Sequence, residues 1–169
     1  MTTADEHELL LHTLQRQRRA IANAVSGLTE EQVRSVPSAS SMSLGSLLKH
    51  VVGEHRALGI NVGGVADVGD AEAEWHSGWV LADDETTEAL LARFDDVAAE
   101  TAAIVRARSL DDAVDLPEAV RRYLPPETEF TVRWMLLHAI EEEARHAGHA
   151  DVIRESIDGA HAMQLAGTI

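Results

Sequence analysis

There is no cysteine anywhere in the 169 residues. That absence excludes disulfides, thiolate metal sites and a cysteine nucleophile together, so any thiol chemistry has to arrive with a substrate or cofactor. Basic charge is scarce as well. Lys49 is the only lysine, and 14 basic residues face 29 acidic ones, for a formal net charge of −15. Such a surface repels phosphate backbones and anionic lipid, so neither nucleic acid nor a membrane is an expected partner, whereas a cation is a natural one. Aromatic residues make up only 4% of the chain against 45% hydrophobic overall, with Ala, Leu, Val and Glu abundant, which favours helices over sheet. No run approaches the ~18 apolar residues of a spanning helix. The opening MTTADEHELL is acidic and lacks the basic flank and apolar centre of a secretory signal, so the expected location is cytoplasmic. Several catalytic signatures are missing too: GxSxG, the phosphate-cradling P-loop, GxGxxG after a strand, and HExxH.

What is present reads as one all-α domain over residues 1–169. Leu9, Leu10, Leu14, Ile21 and Val25 recur at helical spacing behind Thr3 and Asp5, predicting a first helix from about Ala4 to Val25 that Gly27 ends. Thr29 and Gln32 form a capping box for a short turn. Ser43 caps a second long helix with the stripe Leu44, Leu47, Leu48, Val51, His55 and Leu58. From Gly59 to Asp84 the pattern dissolves into a long crossover, where Trp75 and Trp79 either close over a pocket or pin the segment to the bundle. Asp84 or Thr86 leads a third helix to about Ala107, with Leu90, Leu91, Phe94, Val97, Thr101, Ile104 and Val105 inward. Ser109 to Thr128 is irregular around Pro117, Pro125 and Pro126, and Thr128 or Thr131 opens the last long helix. Four long helices with long crossover connections describe a four-helix bundle, which holds polar sites between facing helices. The tail from His161 to Ile169 is expected at the surface or in a homodimer contact.

The chemistry concentrates in RWMLLHAIEEEARHAGHADVIRESIDG, residues 133–159. At ~100° per residue, Met135, His138, Glu142, His146, His149, Ile153 and Ile157 fall on one stripe, with apolar ends and a polar middle. Unpartnered polar groups there would cost about 1–3 kcal/mol each, so a charged or metallic partner is expected opposite. Glu142 and His146, four residues apart, can converge on one ion. His50, at the margin of the second helix's stripe, is the best third donor. Two imidazoles and a carboxylate leave an open coordination position, the ligand count of catalytic zinc, and by residue type they also suit ferrous iron, nickel or manganese. His138 and His149 remain alternatives as ligands, supports of the ligands or substrate contacts. Glu54, one turn after His50, is either a support for that histidine or part of a solvated face. His55 is expected to be a satisfied core histidine, while His7, His12, His76 and His161 are expected at the surface. Glu141 and Glu143 are expected to point away from the stripe by roughly 100°.

Two blocks carry a resemblance: GLTEEQVRSVPSASSMSLGSLLKHVVGEHR and, much later, VRWMLLHAIEEEARHAGHADVIRESIDG. They resemble the DinB-like superfamily, specifically its actinobacterial branch related to mycothiol-dependent maleylpyruvate isomerases. The resemblance spans nearly the whole chain and is weakest between Gly59 and Asp84. It implies a four-helix bundle and a divalent metal held at His50, Glu142 and His146; glutamate rather than histidine at position 142 is the pattern of the mycothiol-dependent branch. It implies a metal-dependent thiol S-transferase or isomerase, with mycothiol as co-substrate, a small electrophile as target and detoxification as its setting. Two readings from other classes stand beside it: a non-catalytic metal-binding stress-response protein, and a structural helical dimer whose polar stripe is an interface.

Overall fold

Each long helix starts where a short polar side chain can satisfy the free N–H groups of its first turn. In the computed structural model, which describes residues 5–64, 77–122, 124–126 and 129–167, Asp5 accepts from the His7 N–H at the head of α1 (Glu6–Val25). Thr29 closes its capping box with Gln32 ahead of α2 (Glu30–Arg34). Ser43 accepts from Ser46 N–H to begin α3 (Leu44–Gly63), and Thr86 from Ala89 N–H to begin α4 (Thr87–Arg106). After the single turn α5 (Glu118–Arg121), Thr131 accepts from Trp134 N–H and starts α6 (Val132–Asp158), which Gly159 ends at φ 79°. A last turn, α7 (Ala162–Leu165), follows. Such caps are worth about 1 kcal/mol each against alanine.

The architecture is all-α, with no strand among the described residues. The crossover starts later than the sequence pattern implies. Instead of stopping at Gly59, α3 runs on to Gly63, because Val62 is fully buried and Gly64, at φ 67°, supplies the left-handed terminator. Trp75 and His76 of that crossover, and Thr128 before α6, lie outside the described residues. The segment from Ser109 is irregular as expected. It is tied to the start of α6 by an isolated antiparallel bridge between Ala113 and Thr131 and by Arg133 N–H donating to Leu110 O.

The four long helices pack in the cyclic order α1, α6, α3, α4. The α3–α4 and α1–α6 contacts are the broadest and the α1–α4 seam the sparsest. Gly59 permits the close α3–α4 approach, since a Cβ there would fall 2.7 Å from Thr101 Oγ1. Two apolar clusters fill the interior. One gathers Ile21, Leu47, Leu48, Val51, Phe94 and Ile153; the other gathers Leu14, Leu58, Val62, Val105, Phe130 and Leu136. Each long helix contributes a side chain to a buried polar layer, Arg18 from α1, His55 from α3, Thr101 from α4 and Glu143 from α6, while His50 on α3 and Arg154 on α6 are buried as well.

Candidate metal centre

His50 lies in the second turn of α3, with Glu54 one turn further along and His146 opposite on α6. Glu54 spans the two imidazoles: its Oε1 is 3.2 Å from His50 Nε2 and its Oε2 is 3.2 Å from His146 Nε2. The rings meet edge to face at 5.0 Å. One ligand atom from each of His50, Glu54 and His146 lies within 4.8 Å of the other two, and this is the group among the described residues with the spacing to hold a metal ion.

Trp79 stacks on His50, centroid to centroid 3.6 Å at 20°. Its segment is fastened by the basic residues of α2 and α3. Lys49 Nζ donates to Val80 O at 2.8 Å and Glu85 Oε2 at 2.7 Å, while Arg34 donates to Ala82 O at 3.0 Å. The single lysine of the chain thus holds the end of the crossover against α3, next to the cluster.

Burial pushes the Glu54 carboxyl up, but hydrogen bonding to His146 and His50 outweighs it and holds the group down at about 2. Burial lowers His146, and its bond to Glu54 more than reverses this, so its pKa ends above the usual imidazole value. Distance and direction disagree at one contact. Glu54 Oε2 and His146 Nε2 are close enough for an ion pair, yet both are buried and neither makes a hydrogen bond of acceptable geometry. Lone-pair atoms that converge without satisfying one another fit a divalent cation, and a set of two imidazoles and a carboxylate suits zinc with an open position.

Of the residues read from the sequence, His50 and His146 are brought together. Glu142 stands one turn before His146, near enough to act on it electrostatically, with its carboxylate 3.5 Å from Arg145. His138 stacks on Trp134 at 4.9 Å, and His149 is half-buried on α6. His12 is exposed, and His7 is half-buried, its Nε2–H donating to Arg108 O at 2.9 Å.

The inward face of α6 is rotated from the one the histidine pattern marks. Its centre runs through Leu136, Glu143, Ala147, Ala150, Ile153 and Arg154, leaving His138, Glu142, His146 and His149 along a half-buried margin. Glu143, off the histidine stripe as expected, therefore points into the core. It is 2% exposed and its Oε1 lies 2.6 Å from His55 Nδ1; burial raises its pKa despite the opposing pull of His55. His55 is the satisfied core histidine expected of it. The signal for Glu143 was its register with Leu136, Ala147 and Ala150, a line whose alanines weigh little in a hydrophobicity pattern but allow close packing.

Comparison with known proteins follows the same lines. A model of the family described as Mycothiol-S-transferase matches residues 9–159. Among solved structures, a conserved protein from Enterococcus faecalis is similar at a TM-score of 0.67 and 16% identity, over 94% of this chain and 100% of that one, which supports the shared fold. No curated protein matches the sequence.

Proposed function

The chain belongs to the mycothiol S-transferase family, and from that premise we propose that it is a metal-dependent enzyme joining a low-molecular-weight thiol, mycothiol, to a small electrophile. The observation that carries the reading is the convergence of His50, Glu54 and His146 from two rigid helices, with Glu54 Oε2 and His146 Nε2 buried and unsatisfied. His50 and His146 supply the imidazole donors. The carboxylate is Glu54, already among them, or Glu142, one turn before His146 on α6 and 3.5 Å from Arg145. Zinc is the expected ion. Bound there, a divalent cation supplies the Lewis acidity that lets a thiol of pKa near ~8.5 ionise at neutral pH.

The residues of the chain do the rest. Trp79 fixes the plane of the His50 ring, and the buried donors present no competing nucleophile, since the chain lacks cysteine. In the reaction the thiol gives up its proton, a sulfur–carbon bond forms at the electrophile, and the bond to the leaving group breaks with its electron pair. In the isomerase variant the thiolate instead adds across a double bond, no group leaves, and later cleavage of the same sulfur–carbon bond returns the isomer and the thiol. No helix among the described residues is long and apolar enough to cross a membrane.

Elemental analysis of purified protein together with mycothiol consumption over a panel of electrophiles tests this. His146→Ala is expected to lose bound metal and at least ~100-fold of thiol consumption, in the range that follows loss of a metal site's activating role. Comparing Glu54→Gln with Glu142→Gln identifies the carboxylate donor by which one loses the ion. Full metal content in His146→Ala sinks the assignment, and metal binding without thiol consumption sinks the enzymatic part.

A further inference from the structure

On the opposite side of the bundle, in the sparse α1–α4 seam, lies a cavity of about 230 Å³ that shares no residue with the His50, Glu54, His146 cluster. Its floor reaches the polar layer at Arg18 and His55, and its walls are Leu11, Leu14, Ala98 and Ala102.

Arg18 is the unusual member. A buried arginine is costly unless its donors are matched. Its terminal nitrogens are matched: they donate to Gln15 Oε1, to Phe94 O at 3.1 Å and to Asp95 Oδ1 at 2.8 Å, and the guanidinium lies 4.4 Å over the Phe94 ring. Its Nε is buried with no partner. His55, whose Nδ1 is committed to Glu143, also lies in the lining. Each arginine of the lining already faces an acid, Arg18 with Asp95 and Arg106 with Glu8, so what the lining offers a ligand is the unmatched Arg18 Nε–H.

We infer that this seam is a second small-molecule site, which takes a small organic monoanion with its carboxylate toward Arg18 Nε and His55 and a short alkyl body against Leu11, Leu14, Ala98 and Ala102. A buried Arg18 Nε–H without a partner, beside four aliphatic side chains among the ten lining residues, suits a carboxylate with a short hydrocarbon tail better than a phosphate, which needs more donors around its head. The Glu8–Arg106 pair, 2.6 Å between Arg106 Nε and Glu8 Oε1, joins α1 to α4 at the exposed rim. The site does not depend on the metal reading.

Hexanoate, with eight non-hydrogen atoms, is a suitable probe, and 1-hexanol a neutral control. Titrated at millimolar concentration into the full chain, before and after chelator treatment, hexanoate is expected to shift amide NMR signals of α1 and α4 around the cavity equally in both preparations. Binding should be about tenfold tighter than for 1-hexanol and about tenfold weaker in Gln15→Glu, which sets a carboxylate beside Arg18 on a half-buried, non-core position. Ala102→Phe, which fills the seam, should abolish it; if that variant does not fold, Gln15→Glu alone decides. The inference is overturned if hexanoate causes no shift, if it perturbs only signals near His50 and His146, or if Gln15→Glu binds it as tightly as the parent.

Discussion

His50 and His55 stand five positions apart on α3, each is nearly fully buried, and each meets a glutamate, yet the two pairs behave differently. His55 and Glu143 close on each other at 2.6 Å between two helices, both about 3% exposed, deep between the apolar clusters. His50 shares Glu54 with His146 at 3.2 Å on each side, at a half-open margin roofed by Trp79, with a nitrogen and an oxygen left unsatisfied. Each pair leaves buried atoms without a partner, Glu143 Oε2 in the first and Glu54 Oε2 and His146 Nε2 in the second, but in the second those atoms face each other at 3.2 Å beside a third donor, His50. Burial alone does not mark a functional histidine; the number of unsatisfied lone pairs converging on one point does.

The largest effect should come from breaking the closed pair. Glu143→Ala strands His55 among apolar neighbours and is expected to cost about 3 kcal/mol in urea unfolding, while His55→Leu combined with Glu143→Leu recovers most of the loss. A cost under ~1 kcal/mol would erase the contrast between the pairs. Next, removing the roof of the open pair with Trp79→Ala frees the His50 ring and should weaken metal binding about tenfold, read by competition with a chelator, with little change in urea stability of the metal-free protein. Unchanged affinity would reduce Trp79 to a packing residue. The smallest effect is in pH. Glu54, held at about 2, contributes stability that is present above its unfolded value of 4.5 and is lost as pH falls from there toward 2. His146, raised above 6.5, contributes stability that is present below 6.5 and is lost as pH rises through its higher folded value. Thermal melting of metal-free protein should therefore peak between about pH 4.5 and 6.5 relative to Glu54→Gln; identical profiles would mean that the open pair adds nothing to folding.

Much of this was legible in the chain. The 3.6-residue spacing marks the helices and short polar residues mark their starts, since both signals are local, although the sequence leaves Thr3 beside Asp5, Asp84 beside Thr86 and Thr128 beside Thr131 as possible caps. His50 and His146 stood out as polar groups beside apolar stripes. Their meeting with Glu54 did not, because i,i+4 His–Glu spacing is common on solvated helices and only the approach of α6 distinguishes this pair. The inward face of α6 is masked in the sequence for a related reason: the histidines draw the stripe, while Ala147 and Ala150, both buried, leave almost no mark on a hydrophobicity scale. The end of α3 was missed because Gly59 looks like a breaker until Thr101 is seen against it.

The polar layer formed by Arg18, His55, Thr101 and Glu143 has a consequence for how the helices find their alignment. Helices rich in Leu, Val and Ala present similar apolar surfaces one turn apart, so burial alone discriminates poorly against axial slippage. A slip of α6 by one turn moves Glu143 about 5.4 Å past His55 and leaves both without partners. Thr101 Oγ1, which donates to His55 O at 3.3 Å, indexes α4 to the same level. The layer works as a ruler mark inside an otherwise slippery bundle, and by fixing α6 lengthwise against α3 it also fixes the height at which His146 faces His50.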